Sequence, residues 1–173
     1  MKMWAIILML LGHSELLRSQ SNGEVPLQLD SLTLVRTRCS GACPAYRLDV
    51  SATGLVRFVS RNPADAGRTV TRASTPDMLR RIERVLVAQS FVSLPDIVMG
   101  ELPYCRLVAT DHPTITVTAF VHGVRVSRTY YTGCHGAAPG DTLPRPYIKS
   151  LQIVADSIAA ITTKPDWIRP ARF

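Results

Sequence analysis

Two cysteines, a glycine and a proline fall within six residues of each other, between two stretches whose residues alternate in polarity. The segment runs Thr37-Arg38-Cys39-Ser40-Gly41-Ala42-Cys43-Pro44-Ala45-Tyr46-Arg47-Leu48-Asp49-Val50. Pro44 fixes its own φ and biases Cys43 towards an extended backbone, while Gly41 permits a tight reversal. The chain must therefore turn sharply and then run straight. Before the turn, residues 30–38 read as a strand; after it, Tyr46, Leu48 and Val50 alternate with Arg47, Asp49 and Ser51 as a half-buried strand should.

Ala52-Thr53-Gly54 is a hairpin loop into a strand at 55–60, and a further strand is expected at 68–73. Thr75-Pro76-Asp77 then offers an N-cap, a first-turn proline and an acid at the positive end of a helix. Met78, Leu79, Ile82, Val85 and Leu86 follow at helical spacing, which leaves Arg80, Arg81 and Arg84 on the solvent side. Further on, Ile115, Val117, Ala119 and Val121 alternate with Thr114, Thr116, Thr118 and Phe120. His122-Gly123 turns them into Val124, Val126, Arg128 and Tyr130. A Gly/Pro-rich loop at 133–146 leads to a second amphipathic helix carrying Tyr147, Ile148, Leu151, Val154, Ala155, Ile158 and Ile161.

Hairpin-then-helix thus occurs twice, and the expected class is α+β: an antiparallel sheet with two helices packed on one face. On the sheet's inner face, Tyr46, Leu48, Val50, Ile115, Val117, Val124 and Val126 are expected to meet Leu79, Ile82, Leu86, Leu151, Val154 and Ile158. Residues 22–173 read as a single α+β domain with a tail at 164–173 pinned by Trp167. Residues 1–21 read as a signal peptide: Lys2, an apolar run from Trp4 that is too short to span a bilayer, and the small-x-small pattern Ser19-Gln20-Ser21. The expected location is accordingly periplasmic or secreted, with no transmembrane segment after signal cleavage.

Export changes what the cysteines mean, because thiols in an oxidising compartment usually end as disulfides. Cys39, Cys43, Cys105 and Cys134 allow three connectivities. A turn brings residues four apart within disulfide range, so the spacing favours Cys39–Cys43 as a clip and Cys105–Cys134 as a long-range staple. Charge is the other compositional signal: 20 Lys+Arg stand against 13 Asp+Glu, and removing Lys2, Arg18 and Glu15 with residues 1–21 leaves 18 against 12. That excess favours an anionic envelope component or an envelope protein as partner. The basic residues are spread along the chain without an aromatic-interleaved stripe, so nucleic acid is not expected as a partner.

The turn resembles the opening motif of a bacterial family called domain of unknown function 6438, in which Arg-Thr-x-Cys-x-Gly-x-Cys-Pro-x-Tyr precedes a strand, a Gly turn and a second strand. Here the motif reads from Arg36 to Tyr46. Further matches are Phe91, Thr110-Asp111, Gly123, Tyr131-x-Gly133-Cys134 and Trp167, so the resemblance extends from about Leu34 to Trp167. It departs from the family at the Gly/Pro insertion after Cys134. The resemblance implies the element order, carries Cys39 and Cys43 as a unit, and implies no activity.

Candidate chemistry is sparse. Cys39-x-x-x-Cys43 has one residue too many for a thioredoxin-type dithiol, and a strand rather than a helix N-terminus follows it. With His112 and His135 the cysteines lack the paired spacing of zinc sites. No metal or cofactor is expected, and no catalytic residue is assigned. Cys134 and His135 are sequence neighbours, whereas a nucleophile and its base converge from distant segments. Asp111-His112 is the one place where a histidine adjoins a carboxylate, and it is the residue pair on which a site would be built. The expectation is an exported, non-enzymatic binding or accessory domain of the cell envelope; the alternative is an enzyme of unrecognised type with a site near Asp111, His112 and the Cys134 loop.

Overall fold

The computed structural model describes residues 27–99, 105, 107–135 and 146–168. The proposed signal peptide at 1–21, most of the Gly/Pro loop and the end of the tail lie outside these residues. Among the described residues eight strands and two α-helices follow in the order β1 (Leu29–Arg36), β2 (Tyr46–Ser51), β3 (Leu55–Ser60), β4 (Thr69–Ala73), α1 (Pro76–Ala88), β5 (Leu107–Val108), β6 (Thr114–Val121), β7 (Val124–Tyr131), β8 (Cys134–His135) and α2 (Pro146–Thr162). The class is α+β. Hairpin-then-helix occurs twice, as β2–β3 before α1 and β6–β7 before α2.

Six strands form one sheet in the order β4-β3-β2-β1-β6-β7, every neighbour antiparallel. β1 is therefore central, with the meander β2–β4 on one side and the second hairpin on the other. The β6–β7 turn suits its residues. His122 and Gly123 have φ of 49° and 73°, the left-handed values that a tight two-residue hairpin needs, and the Asp30 carboxylate accepts the Gly123 N–H at 2.7 Å. β5 and β8 form a separate two-stranded ladder, pairing Leu107 with His135 and Val108 with Cys134.

Strand register sorts the sheet into two faces. Across it run the rows Val56–Val50–Leu32–Ala119–Val126, Phe58–Leu48–Leu34–Val117–Arg128 and Ser60–Tyr46–Arg36–Ile115–Tyr130. Their buried apolar members share one cluster with Met78, Ile82 and Leu86 of α1 and Leu151, Val154, Ala155, Ile158 and Ala159 of α2. Both helices also make polar contacts to this face. Arg36, in the last of these rows, donates to Asp156 of α2 at 2.6 Å; Arg72, paired with Val56, reaches the Met78 sulfur of α1 at 3.9 Å. α1 starts as its sequence dictates, with the Thr75 hydroxyl accepting the Met78 N–H at 3.1 Å.

Two details of the expected core differ. Val124 has the inward parity but is 63% exposed, because it begins the edge strand at the hairpin tip, where no second layer lies over it. Met78 rather than Leu79 is the buried residue of the first helical turn, with Leu79 only partly buried. The chain after α2 returns to the sheet: Trp167 is buried, its ring 6.0 Å from that of Phe58, and its carbonyl accepts Arg68 Nη2 at 2.6 Å. Arg68 in turn lies over the Phe58 ring and pairs with Asp65 at 2.8 Å.

Candidate functional site

All six residues named from the sequence belong to one end of the sheet, where β1 and β7 finish and β2 and β6 begin. Cys39 and Cys43 are bonded, with Cα atoms 5.7 Å apart, and Cys105 and Cys134 are bonded at 5.0 Å. The first cystine closes the turn between β1 and β2. The second ties residue 105 to the start of β8, and both its cysteines are buried. Asp111 and His112 occupy the turn leading into β6 and are exposed there.

Main-chain bonds stitch these turns together. Ser40, inside the first cystine loop, donates its N–H to the Asp111 carbonyl at 3.2 Å, and Thr37 N–H donates to the Thr114 carbonyl at 2.9 Å. Thr37 answers with its hydroxyl, which accepts the Thr114 N–H at 2.7 Å. The Tyr131 phenol brackets the Asp111–His112 turn from below, donating to the Ala109 carbonyl at 2.9 Å and accepting the His112 N–H at 3.3 Å. Gly133 completes the crossing: its carbonyl accepts the Ala109 N–H at 2.8 Å, and a Cβ built on it would lie 2.2 Å from the Ala109 oxygen. Asp111 has φ 65°, a left-handed conformation that aspartate tolerates better than most residues. The sequence thus brings Asp111 and His112 beside the clip, held through the Asp111 carbonyl and the His112 N–H.

Just inside this end, Arg36 and Tyr46 face the helices from neighbouring register positions. Burial pushes the Tyr46 hydroxyl above its usual pKa, with Arg36 acting against that and Asp156 adding to it. Burial raises Tyr130 as well. On the opposite, open face the central polar group is Asp49, which accepts Thr33 Oγ1 at 2.8 Å and Arg47 Nε at 2.9 Å. Burial alone would raise the Asp49 pKa, but the hydrogen bonds from Arg47 and Thr33 and the charges of Arg47 and Arg57 outweigh it and hold the carboxyl below its usual value. Around it the face is rich in hydroxyls: Thr33, Thr118 and Ser127 share one row, and Thr116 and Thr129 the next.

A third feature escaped the sequence. Between α1 and α2, on the side away from the sheet, lies an open groove of about 460 Å3 lined by Arg81, Arg84, Val85 and Ala88 from α1 and Ser157, Ala160 and Ile161 from α2. Helical spacing identifies the arginines as solvent-facing, but which α2 residues stand opposite depends on how the helices pack. Neither Arg81 nor Arg84 has an ion pair among the described residues, and no acid lines the groove. The nearby Arg80 is different, pairing with Asp77 at 3.6 Å. Arg36 was likewise missed as an inward residue, although it follows Leu32 and Leu34 at strand period and the pattern contains that information.

Among the described residues no group of three or more His, Cys, Asp or Glu side chains could hold a metal ion. None of their helices is long and apolar enough to cross a membrane. What fold and sheet end define is an α+β domain closed by two cystines. The model of the family described as "Domain of unknown function (DUF6438)" matches residues 30–143, and the chain belongs to that family. The matched span holds the sheet apart from Leu29 at the start of β1, with α1, both cystines and the Asp111–His112 turn; it ends before α2 and Trp167, short of the extent read from the motifs. No curated protein matches the chain.

Proposed function

We propose that this chain is an exported, non-enzymatic binding or accessory domain of the cell envelope, holding its partner on the outer face of the two helices. The observation that carries the reading is the α1–α2 groove, whose lining includes Arg81 and Arg84 and no acid. Two exposed cations three residues apart on one helix repel one another mildly. An anionic partner supplies the missing counter-charge. Cystines at both turns of the sheet end, together with the apolar run and cleavage pattern of residues 1–21, support an oxidising, extracytoplasmic location.

Intact-mass analysis of protein recovered from an envelope fraction tests location: the expected species lacks residues 1–21 and does not react with a thiol reagent until reduced. A cytosolic species that retains Met1 and carries four reactive thiols refutes the export half of the proposal. Binding is tested by pull-down from envelope extract with the oxidised mature protein, comparing it with Arg81→Glu/Arg84→Glu. Equal recovery of every partner by both proteins removes the groove from the reading.

A further inference from the structure

Resting on that reading, the geometry points to one class of occupant for the α1–α2 groove: we infer that it receives an acidic amphipathic helix of a partner protein. The groove has two chemically distinct parts. Its apolar lining is Val85, Ala88, Ala160 and Ile161, with Val85 and Ile161 the less exposed, and its cations stand on the α1 side alone, at Arg81 and Arg84. Small side chains at Ala88, Ser157 and Ala160 let a third backbone approach closely, as ridges of one helix settle into the groove of a helix pair. A further exposed apolar residue, Ile153 at 46%, stands one turn before Ser157 on the same stripe of α2 and prolongs the apolar lining.

Other anionic ligands use only part of this surface. A free anion engages the arginines and leaves the apolar lining wet. A flat bilayer meets the arginines but leaves Val85 and Ile161, only partly exposed between the helices, largely uncontacted, and a glycan finds no aromatic ring among the lining residues on which to stack. An amphipathic helix uses all of it: apolar side chains at i, i+3/i+4 and i+7 cover the apolar lining, while Asp or Glu one turn apart reach both guanidinium groups. Arg81 and Arg84 are separated by about 4.5 Å along their axis, the rise of three helical residues, which matches acids three or four apart on the partner.

The test places a photo-reactive phenylalanine analogue at Ala88 in the groove lining and, separately, at Thr71 on the open sheet face, in the full-length chain expressed in its own cells. The expected result is a protein adduct from position 88 whose cross-linked peptide is an acidic amphipathic segment. Its yield should fall roughly tenfold or more in an Arg81→Glu/Arg84→Glu background, in line with the loss of close charge pairs. Circular dichroism and the melting temperature of that double variant should match the parent, since both sites are exposed. A lipid or glycan adduct at 88, a basic or non-helical peptide there, or an undiminished yield overturns the inference while leaving a binding domain in place. Protein adducts from position 71 alone do the same. With adducts at neither position, the inference and the binding reading fall together.

Discussion

Alanine at Gly133 should be among the most costly small changes in this domain, and its cost can be worked from contacts. The added Cβ lies 2.2 Å from the Ala109 oxygen, 2.7 Å from Tyr131 Cε1 and 3.0 Å from His112 Cβ. The first of these is about 1 Å inside a carbon–oxygen contact of roughly 3.3 Å. Gly133 does not have positive φ, so the penalty is steric and not conformational. Relief requires the 109–112 turn to move, and that turn is held by the Gly133 carbonyl at 2.8 Å and by the Tyr131 phenol at 2.9 Å. Overpacking costs about 1–3 kcal/mol, and one weakened hydrogen bond about 1 kcal/mol more, so Gly133→Ala should lose about 3 kcal/mol. For a domain of this size that is a melting temperature lower by roughly 6–12 °C. Gly41→Ala is the internal control: its nearest new contact is Cys39 Sγ at 3.7 Å, an ordinary van der Waals distance, and its stability should change by less than about 0.5 kcal/mol. Urea unfolding of both oxidised variants, followed by far-ultraviolet circular dichroism, gives the two numbers. A Gly133→Ala protein within about 1 kcal/mol of its parent, or one no worse than Gly41→Ala, refutes the crossing described here.

Replacing cysteines pairwise by serine should separate the two cystines by loop size: closures of 4 and 29 residues correspond to about 2 and 3.6 kcal/mol of chain entropy, so the Cys105/Cys134 variant should melt lower, and the reverse order in calorimetry contradicts that account. Asp156→Ala leaves Arg36, whose side chain is 16% exposed and whose Nε has no partner, without its 2.6 Å carboxylate, and should cost about 1–2 kcal/mol in urea unfolding. Arg80→Ala, breaking a 3.6 Å pair with both side chains about two-thirds exposed, should cost under about 0.5 kcal/mol in the same assay. Asp49 has a folded pKa below its unfolded one, so its contribution is present above the unfolded value of about 3.9 and is lost as pH falls through the folded value. Asp49→Asn should therefore lower the urea midpoint at pH ~6 and converge on the parent as pH falls through the folded value; a deficit that stays constant as pH falls would separate Asp49 from the acid sensitivity.

Local chemistry was legible in the sequence wherever one residue's conformational demand decides the structure. Thr75 caps α1, His122-Gly123 turns β6 into β7, and the cysteines of a short turn pair with each other, each depending on residues within a few positions. Strand parity also carried over, and burial followed it except at Val124, whose exposure is decided by its place on the sheet edge. The central position of β1 was not legible. Its pairing with β6 joins residues such as Leu34 and Val117, and nothing near either residue names the other. β5 and β8, two residues each, are too short for any period to register. The expected strand at 30–38 ends instead at Arg36, because Thr37 turns its hydroxyl onto the Thr114 N–H. At the sheet end the two cystine pairings were legible in the sequence and the structure sets Asp111 and His112 beside the first, but the Tyr131 phenol and Gly133, which hold the turn, were recognised only as family matches.

The boundary of the family match separates two kinds of feature in this molecule. Residues 30–143 contain the sheet apart from Leu29, together with the cystines and the turns that lock its end, whereas α2 lies beyond them and contributes Leu151, Val154, Ala155 and Ile158 to the common core. The inner sheet face therefore needs α2 to be covered, even though the helix is not part of the matched pattern. The groove straddles the same boundary. Arg81 and Arg84 fall within the match, and Ser157, Ala160 and Ile161 fall outside it. A helix that must bury one stripe against a fixed sheet is free to vary on the other, since exposed positions seldom change stability by more than about 0.5 kcal/mol. On the proposed reading, the outer stripe of α2 is where partner preference would be set without disturbing the fold. Substitutions at Ser157 and Ala160 should alter what the groove accepts, while those at Val154 and Ile158 should alter whether the domain folds at all.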